Sequence, residues 1–113
     1  MRLQYSELGN GIRLIKLNGT LDASGVSRVE VEFVRHCVGE NVCVLVDLSK
    51  VNYISSIGIP LLINSAKAVA NNGGRMILLK PQDNVENMLE LTGIPLIIPI
   101  HHDLDSAVAA ILH

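Results

Sequence analysis

Residues 42–70 read VCVLVDLSKVNYISSIGIPLLINSAKAVA, and the fold turns on how this stretch divides. Val42-Cys43-Val44-Leu45-Val46 is an unbroken apolar run rich in β-branched residues, as expected of a strand buried on both faces. Asp47 closes it, and residues 48–54 read as a loop leaving its carboxyl end. Ser55 and Ser56 follow. An apolar helix over 57–72 starts directly after them, with Leu61, Leu62, Ile63, Ala66, Val69 and Ala70 on a wide face. Pro60 belongs in a first helical turn, where its missing N–H costs little, and this sets the start near Ser56. Asn71-Asn72-Gly73-Gly74 ends the helix. Two hydroxyls at a helix mouth sit where unpaired backbone N–H groups and the positive end of the dipole favour an anion.

Upstream, residues 2–8 and 12–17 flank Gly9-Asn10-Gly11. Asn-Gly tolerates positive φ, so this pattern predicts an antiparallel hairpin. Residues 23–38 carry two periods at once. Val29, Val31 and Phe33 alternate with Arg28, Glu30 and Glu32, yet Val26, Val29, Phe33 and Cys37 also share one helical face. Sixteen residues is long for a strand, and a crossover helix normally precedes a parallel strand, so a helix is predicted, with Ser24 as a candidate cap and Gly39 after its end.

Downstream, residues 76–79 read as a short buried strand closed by Lys80-Pro81. Asp83 or Asn84 can cap a helix carrying Val85, Met88, Leu89 and Leu91 up to Gly93. Residues 94–100 offer an edge strand, the only place where Pro95 and Pro99 are tolerable. Asp103 or Asp105 caps a last helix through Val108, Ile111 and Leu112. The expectation is one α/β domain over residues 1–113, with a mixed, mostly parallel sheet, an N-terminal antiparallel strand and about four helices.

Composition narrows the function. The chain has 113 residues, long enough for one real core, and 49% hydrophobic residues exclude disorder. Aromatics are only 3% and net charge is −2, which gives neither base-stacking platforms nor a basic patch, so no direct nucleic-acid partner is expected. No run approaches the ~20 apolar residues of a membrane span, and the N-terminus lacks an apolar signal core, so a cytoplasmic location without membrane insertion is expected. Cys37 and Cys43 read as buried thiols rather than a disulfide.

Leu17-Asn18-Gly19-Thr20-Leu21-Asp22 resembles the L-x-G-x-L-D that closes the second strand of STAS domains. Val44-Leu45-Val46-Asp47-Leu48 followed by Val51-Asn52-Tyr53-Ile54-Ser55-Ser56-Ile57-Gly58-Ile59 resembles their central strand and helix start. Asn72-Gly73-Gly74 and Leu91-Thr92-Gly93 fall where the family has a glycine-rich turn and a helix end. At this length the chain looks like a bacterial anti-sigma factor antagonist. That resemblance implies a non-enzymatic partner switch acting in transcription regulation. The free form binds an anti-sigma factor that is also a serine kinase, so releasing a sigma factor. Phosphorylation breaks the complex and a serine phosphatase restores it. The family's phosphorylated serine falls on Ser56, two residues before Gly58, with Ser55 as a second acceptor where the family often has an acid. The same resemblance places Asp22, Asp47, Ser55, Ser56, Ile57 and Gly58 at the switch, and because a helix buries only one face, one of Ile57 and Leu61 is expected to be exposed beside Ser56 and to complete a partner surface with them. The alternative is a STAS-like binding or scaffold module in a sensory assembly, without phosphorylation.

Other chemistries find little footing. G-x-S-x-G is absent, Ile54 standing at its first glycine, which argues against a hydrolase built from Ser56, Asp47 and His101 or His102. No G-x-G-x-x-G or Walker A motif suggests a cofactor. His36, His101, His102 and His113 lack ligand spacing for a metal.

Overall fold

The computed structural model describes all 113 residues. Nine regular elements alternate around one sheet: β1 (Arg2–Glu7), β2 (Arg13–Leu21), α1 (Ala23–Arg35), β3 (Cys43–Ile54), α2 (Ile59–Asn71), β4 (Arg75–Leu79), α3 (Asp83–Leu91), β5 (Ile100–His101) and α4 (Leu104–Ile111). Strand order is β1-β2-β3-β4-β5. The Gly9–Gly11 turn, with Asn10 at φ 66°, folds β1 back on β2, pairing Glu7 with Arg13 and Arg2 with Asn18. All later pairings are parallel, as the crossover helices require.

Alternation along the strands builds two cores. Ile15, Leu17, Val44, Val46, Leu48, Met76 and Leu78 meet Val29 and Phe33 of α1, Leu62 and Val69 of α2, and Val85 and Leu89 of α3. Three successive crossovers of one hand thus place three helices on one face. On the opposite face Leu14, Leu45, Ile77 and Leu79 pack beneath Ala107 and Ile111 of α4. Cys37 belongs to the first core and Cys43 borders the second; both are free thiols.

Helix, not strand, holds over 23–35. Asp22 caps it in place of Ser24, its Oδ1 accepting from the Gly25 amide at 2.8 Å. Arg13 closes the other end, donating to the carbonyls of His36 (3.0 Å) and Val38 (2.6 Å). Asp103 caps α4, its Oδ1 accepting from the Ser106 amide. These bonds and the one from the Ser106 hydroxyl hold the Asp103 carboxyl below its ordinary range.

The structure corrects further readings of the elements. Residues 48–54 are strand: β3 runs on to Ile54 because Val51, Tyr53 and Ile54 pair with Gly19, Thr20 and Leu21. Register shifts on either side of Asn18–Gly19 break the alternation there, so the polar residues mimic a loop. Residues 94–100 form a 3₁₀ turn, Ile94–Leu96, and only Ile100–His101 joins the sheet, since Pro95 and Pro99 have no N–H to donate. Gln82 precedes α3, with Asp83 already inside it. Leu91 and Leu112 are exposed, and Ala107 takes the core position on α4.

Candidate functional site

The carboxyl ends of β2 and β3 lie side by side, Leu21 paired with Ile54, and each feeds a helix. The Ser55 amide donates to the Leu21 carbonyl at 3.1 Å, which ties the exit of β3 to that of β2. A tight turn over residues 55–58 follows, closed by the Gly58 amide donating to the Ser55 carbonyl at 3.0 Å. Within it the Ile57 amide donates to Ser55 Oγ at 3.2 Å. Ser55 is therefore half-buried and locally engaged, a hydroxyl-backbone turn of the kind serine favours. Ser56 is exposed and its hydroxyl has no partner within the protein.

Helix α2 begins two residues later than the sequence suggested. Gly58 is its N-cap and Pro60 lies in its first turn. Ser56 thus stands on the turn before the helix rather than at its cap. Gly58 is buried against β2, and a Cβ there would come within 2.7 Å of the Leu21 carbonyl oxygen and 2.9 Å of Leu21 Cγ. Only glycine lets the turn seat this closely.

Of the two apolar residues in question, Ile57 is 56% exposed and Leu61 only 6%. Asp22, the α1 cap, follows directly on Leu21 at the same rim. Asp47 is elsewhere. It precedes Ile54 by seven positions of β3, about 23 Å at a rise of ~3.3 Å per residue. Its neighbours Val46 and Leu48 enter the three-helix core, so Asp47 points to the opposite face. There Oδ1 accepts from the Ser49 amide at 2.8 Å, beside Arg2, Lys16 and Lys50 in a shallow polar hollow. The structure therefore separates Asp47 from the group around Ser56. The sequence reading ended the strand at Asp47 because residues 48–54 read as a loop, whereas β3 continues to Ile54.

The sequence reading missed a groove of about 700 Å³ between α1 and α2, with Ser56 and Ile57 at one end and Asn72 at the other. Its floor includes Cys37, Leu61 and Ser65; Val34 and Val38 stand exposed on the α1 side. Val26, Glu30, Val34 and Val38 follow one another at four-residue steps, a second stripe beside the core stripe of Val29 and Phe33. That repeat was the available signal. Burial pushes the Cys37 thiol up to about 11, the nearby Arg13 charge opposing only in part.

Three of the four histidines are engaged structurally. His102 meets the Glu86 carboxylate at 2.9 Å, His101 Nδ1 lies 3.3 Å from Ser106 Oγ, and His36 stacks on Tyr5 with ring centroids 3.8 Å apart. With Asp47 on the other face, the imagined Ser56–Asp47–His triad is not assembled. No group of three His, Cys, Asp or Glu side chains is placed to hold a metal. No helix is long and apolar enough to cross a membrane.

Fold and site together define a small α/β domain with an unpartnered serine on the turn between its central strand and second helix. The chain belongs to the STAS domain family, whose model matches residues 7–107. BtrV of Bordetella bronchiseptica, described as an anti-sigma factor antagonist, is 25% identical over 110 residues, covering 97% of this chain and 94% of that protein. An anti-sigma-factor antagonist (STAS) domain protein from Planctomyces limnophilus superposes with a TM-score of 0.87 at 18% identity, covering 98% of both chains. The anti-sigma factor antagonist SpoIIAA in its unphosphorylated form gives 0.77 at 17% identity, over 98% of this chain and 96% of that one. The phosphorylated form of SpoIIAA, from Bacillus, gives 0.69 at 17%, over 96% and 98%.

Proposed function

We propose that the chain is a cytoplasmic, non-enzymatic anti-sigma factor antagonist acting as a single domain over residues 1–113. Its unphosphorylated form binds an anti-sigma factor that is also a serine kinase, through the surface around Ser56. Phosphorylation of Ser56 releases that partner, and a serine phosphatase resets the switch. The observation that carries the reading is the contrast within one turn: Ser55 Oγ accepts a local hydrogen bond, whereas Ser56 is exposed and free beside an exposed Ile57. Relatives described as anti-sigma factor antagonists support the partner class, and a relative known in phosphorylated and unphosphorylated forms supports the switch.

The physics is sufficient for a switch. A phosphate adds about −1.5 to −2 charges at a spot already rimmed by the Asp22 carboxylate. An apolar partner surface seated on Ile57 would then have to bury that charge, which is strongly unfavourable. The fold itself has no such cost, because Ser56 stays in water. Asp22, Ser56 and Ile57 form the contact surface, while Ser55, Gly58 and Leu61 shape it from beneath.

The test is phosphorylation with the cognate anti-sigma kinase and ATP, followed by peptide mapping. One phosphate is expected, lost in Ser56→Ala and retained in Ser55→Ala. Wild type that binds the kinase yet stays unmodified overturns the switch. That result would leave the second reading, a STAS binding or scaffold module without phosphorylation. The groove running the length of α2 well beyond Ser56 favours that reading.

A further inference from the structure

The groove between α1 and α2 has the makings of a small-molecule cleft. Its volume of about 700 Å³ falls in the ~300–1,000 Å³ range of ligand pockets. Such pockets combine mainly aliphatic walls with a few placed polar groups, as this one does. Ser65 supplies an independent pointer to a ligand. It is 5% exposed and lies on the floor, and its hydroxyl has no hydrogen-bond partner within the protein. No side-chain oxygen is sealed in the interior without a partner, so this hydroxyl opens onto the groove. Polar groups withdrawn from bulk water are normally paired, and a group brought in from outside would complete this one. The lining also has one sign of charge. Glu30 is its only charged side chain, the Cys37 thiol being held neutral, and no cation lines the groove.

We infer that the groove binds an elongated apolar molecule with a cationic end, a long-chain amine by class. The aliphatic side chains of Val34, Ile57 and Leu61 receive the chain, Glu30 attracts the ammonium, and Ser65 offers a hydrogen bond. An anionic lipid or a nucleotide is disfavoured, because nothing in the lining offsets its charge. Ser56 and Ile57 close one end of the groove. On the reading proposed above, occupancy would therefore also hinder the kinase.

The inference is tested by titrating methyl-labelled protein with octylamine, octanol and octanoate separately, following the Val34, Ile57 and Leu61 methyl signals. Saturable shifts are expected, with octylamine about fivefold tighter than octanoate, the order of a surface ion pair. Glu30→Gln should erase that preference. Ala68→Trp, at an exposed position in the lining, should abolish binding in a protein whose circular dichroism is unchanged. Octanoate binding equally well, no saturable shift with any probe, shifts centred on the exposed Leu91 and Leu96, or undiminished binding by folded Ala68→Trp each overturn the inference. Silence toward all three probes, together with lost kinase binding in Ala68→Trp, would instead assign the groove to a protein partner. Because the probe titrations need no kinase, their failure is distinct from failure of Ser56 phosphorylation.

Discussion

Ser55 and Ser56 are adjacent and chemically identical, yet the turn gives them different work. Ser55 Oγ is held by the Ile57 amide, while Ser56 projects into solvent. Hydroxyls alone cannot declare this from sequence; the choice of Ser56 rested on its distance from Gly58. Gly58 is where a residue-scale prediction is sharpest. In Gly58→Ala the new Cβ meets the Leu21 carbonyl oxygen, a backbone atom that cannot rotate away. The cost should be about 1–3 kcal/mol in urea denaturation, and a loss under ~0.5 kcal/mol would mean the turn is looser than drawn. Cys37 gives a pH dependence. In the unfolded chain its thiol ionises near the ordinary 9.0; in the fold it stays protonated until about 11. The native state therefore holds the extra proton, so stability is full below pH 9.0 and falls as pH rises toward about 11. The slope in that window is at most ~1.4 kcal/mol for each step of one pH unit. Denaturation midpoints on either side of the window should separate in wild type more than in Cys37→Ala; equal separations would refute the assignment.

At the scale of elements, the hairpin, the later helices and the core of the central strand were legible from an apolar period, a cap or a turn with one chemical solution, while α1 carried two periods and was decided by its length. What was illegible depended on partners distant in sequence. β3 extends to Ile54 only because β2 offers Gly19 to Leu21 as neighbours, and nothing within Leu48-Ser49-Lys50-Val51-Asn52 announces that pairing. The tie between Thr20 Oγ1 and Asn52 Oδ1, 2.8 Å long, is likewise visible only in three dimensions. The neighbourhood of Asp22 with Ser55 to Gly58 followed from local order along the chain, whereas the place of Asp47 did not, because it depends on how far β3 runs. The groove was overlooked because its α1 wall comes from a stripe that looks redundant beside the core stripe. Helix α2 turns this into a paired prediction. Leu61 packs in the three-helix core, so Leu61→Ala should cost about 2–5 kcal/mol. Ile57, 56% exposed on the preceding turn, should tolerate Ala within ~0.5 kcal/mol and, on the proposed reading, lose affinity for the anti-sigma partner. Urea denaturation and calorimetric titration with the partner read the two quantities separately. Equal destabilisation of the two variants would mean that Ile57 serves the core and not the surface.

For the whole molecule, the decisive property is that the sheet insulates its two faces. Ser56 sits at the end of the side covered by α1, α2 and α3, while α4 packs on the other through Ala107 and Ile111 over Leu14, Leu45, Ile77 and Leu79. A charge added at Ser56 touches neither core. It changes what the surface accepts and leaves the shape alone, which is all that differential affinity between two forms requires. Ser56→Asp carries about half of a phosphate's charge and tests this directly. Its amide spectrum should differ from wild type at Asp22, along residues 55–58 and beside the groove, while α4 and its contacts on β4 stay unmoved. Its denaturation midpoint should stay within ~0.5 kcal/mol of wild type, because an exposed turn position has no buried contact to lose. On the proposed reading, affinity for an anti-sigma kinase should fall in the same variant. Shifts spreading through Ala107 and Ile111 would contradict insulation, since they would show the added charge propagating through the sheet as a change of fold.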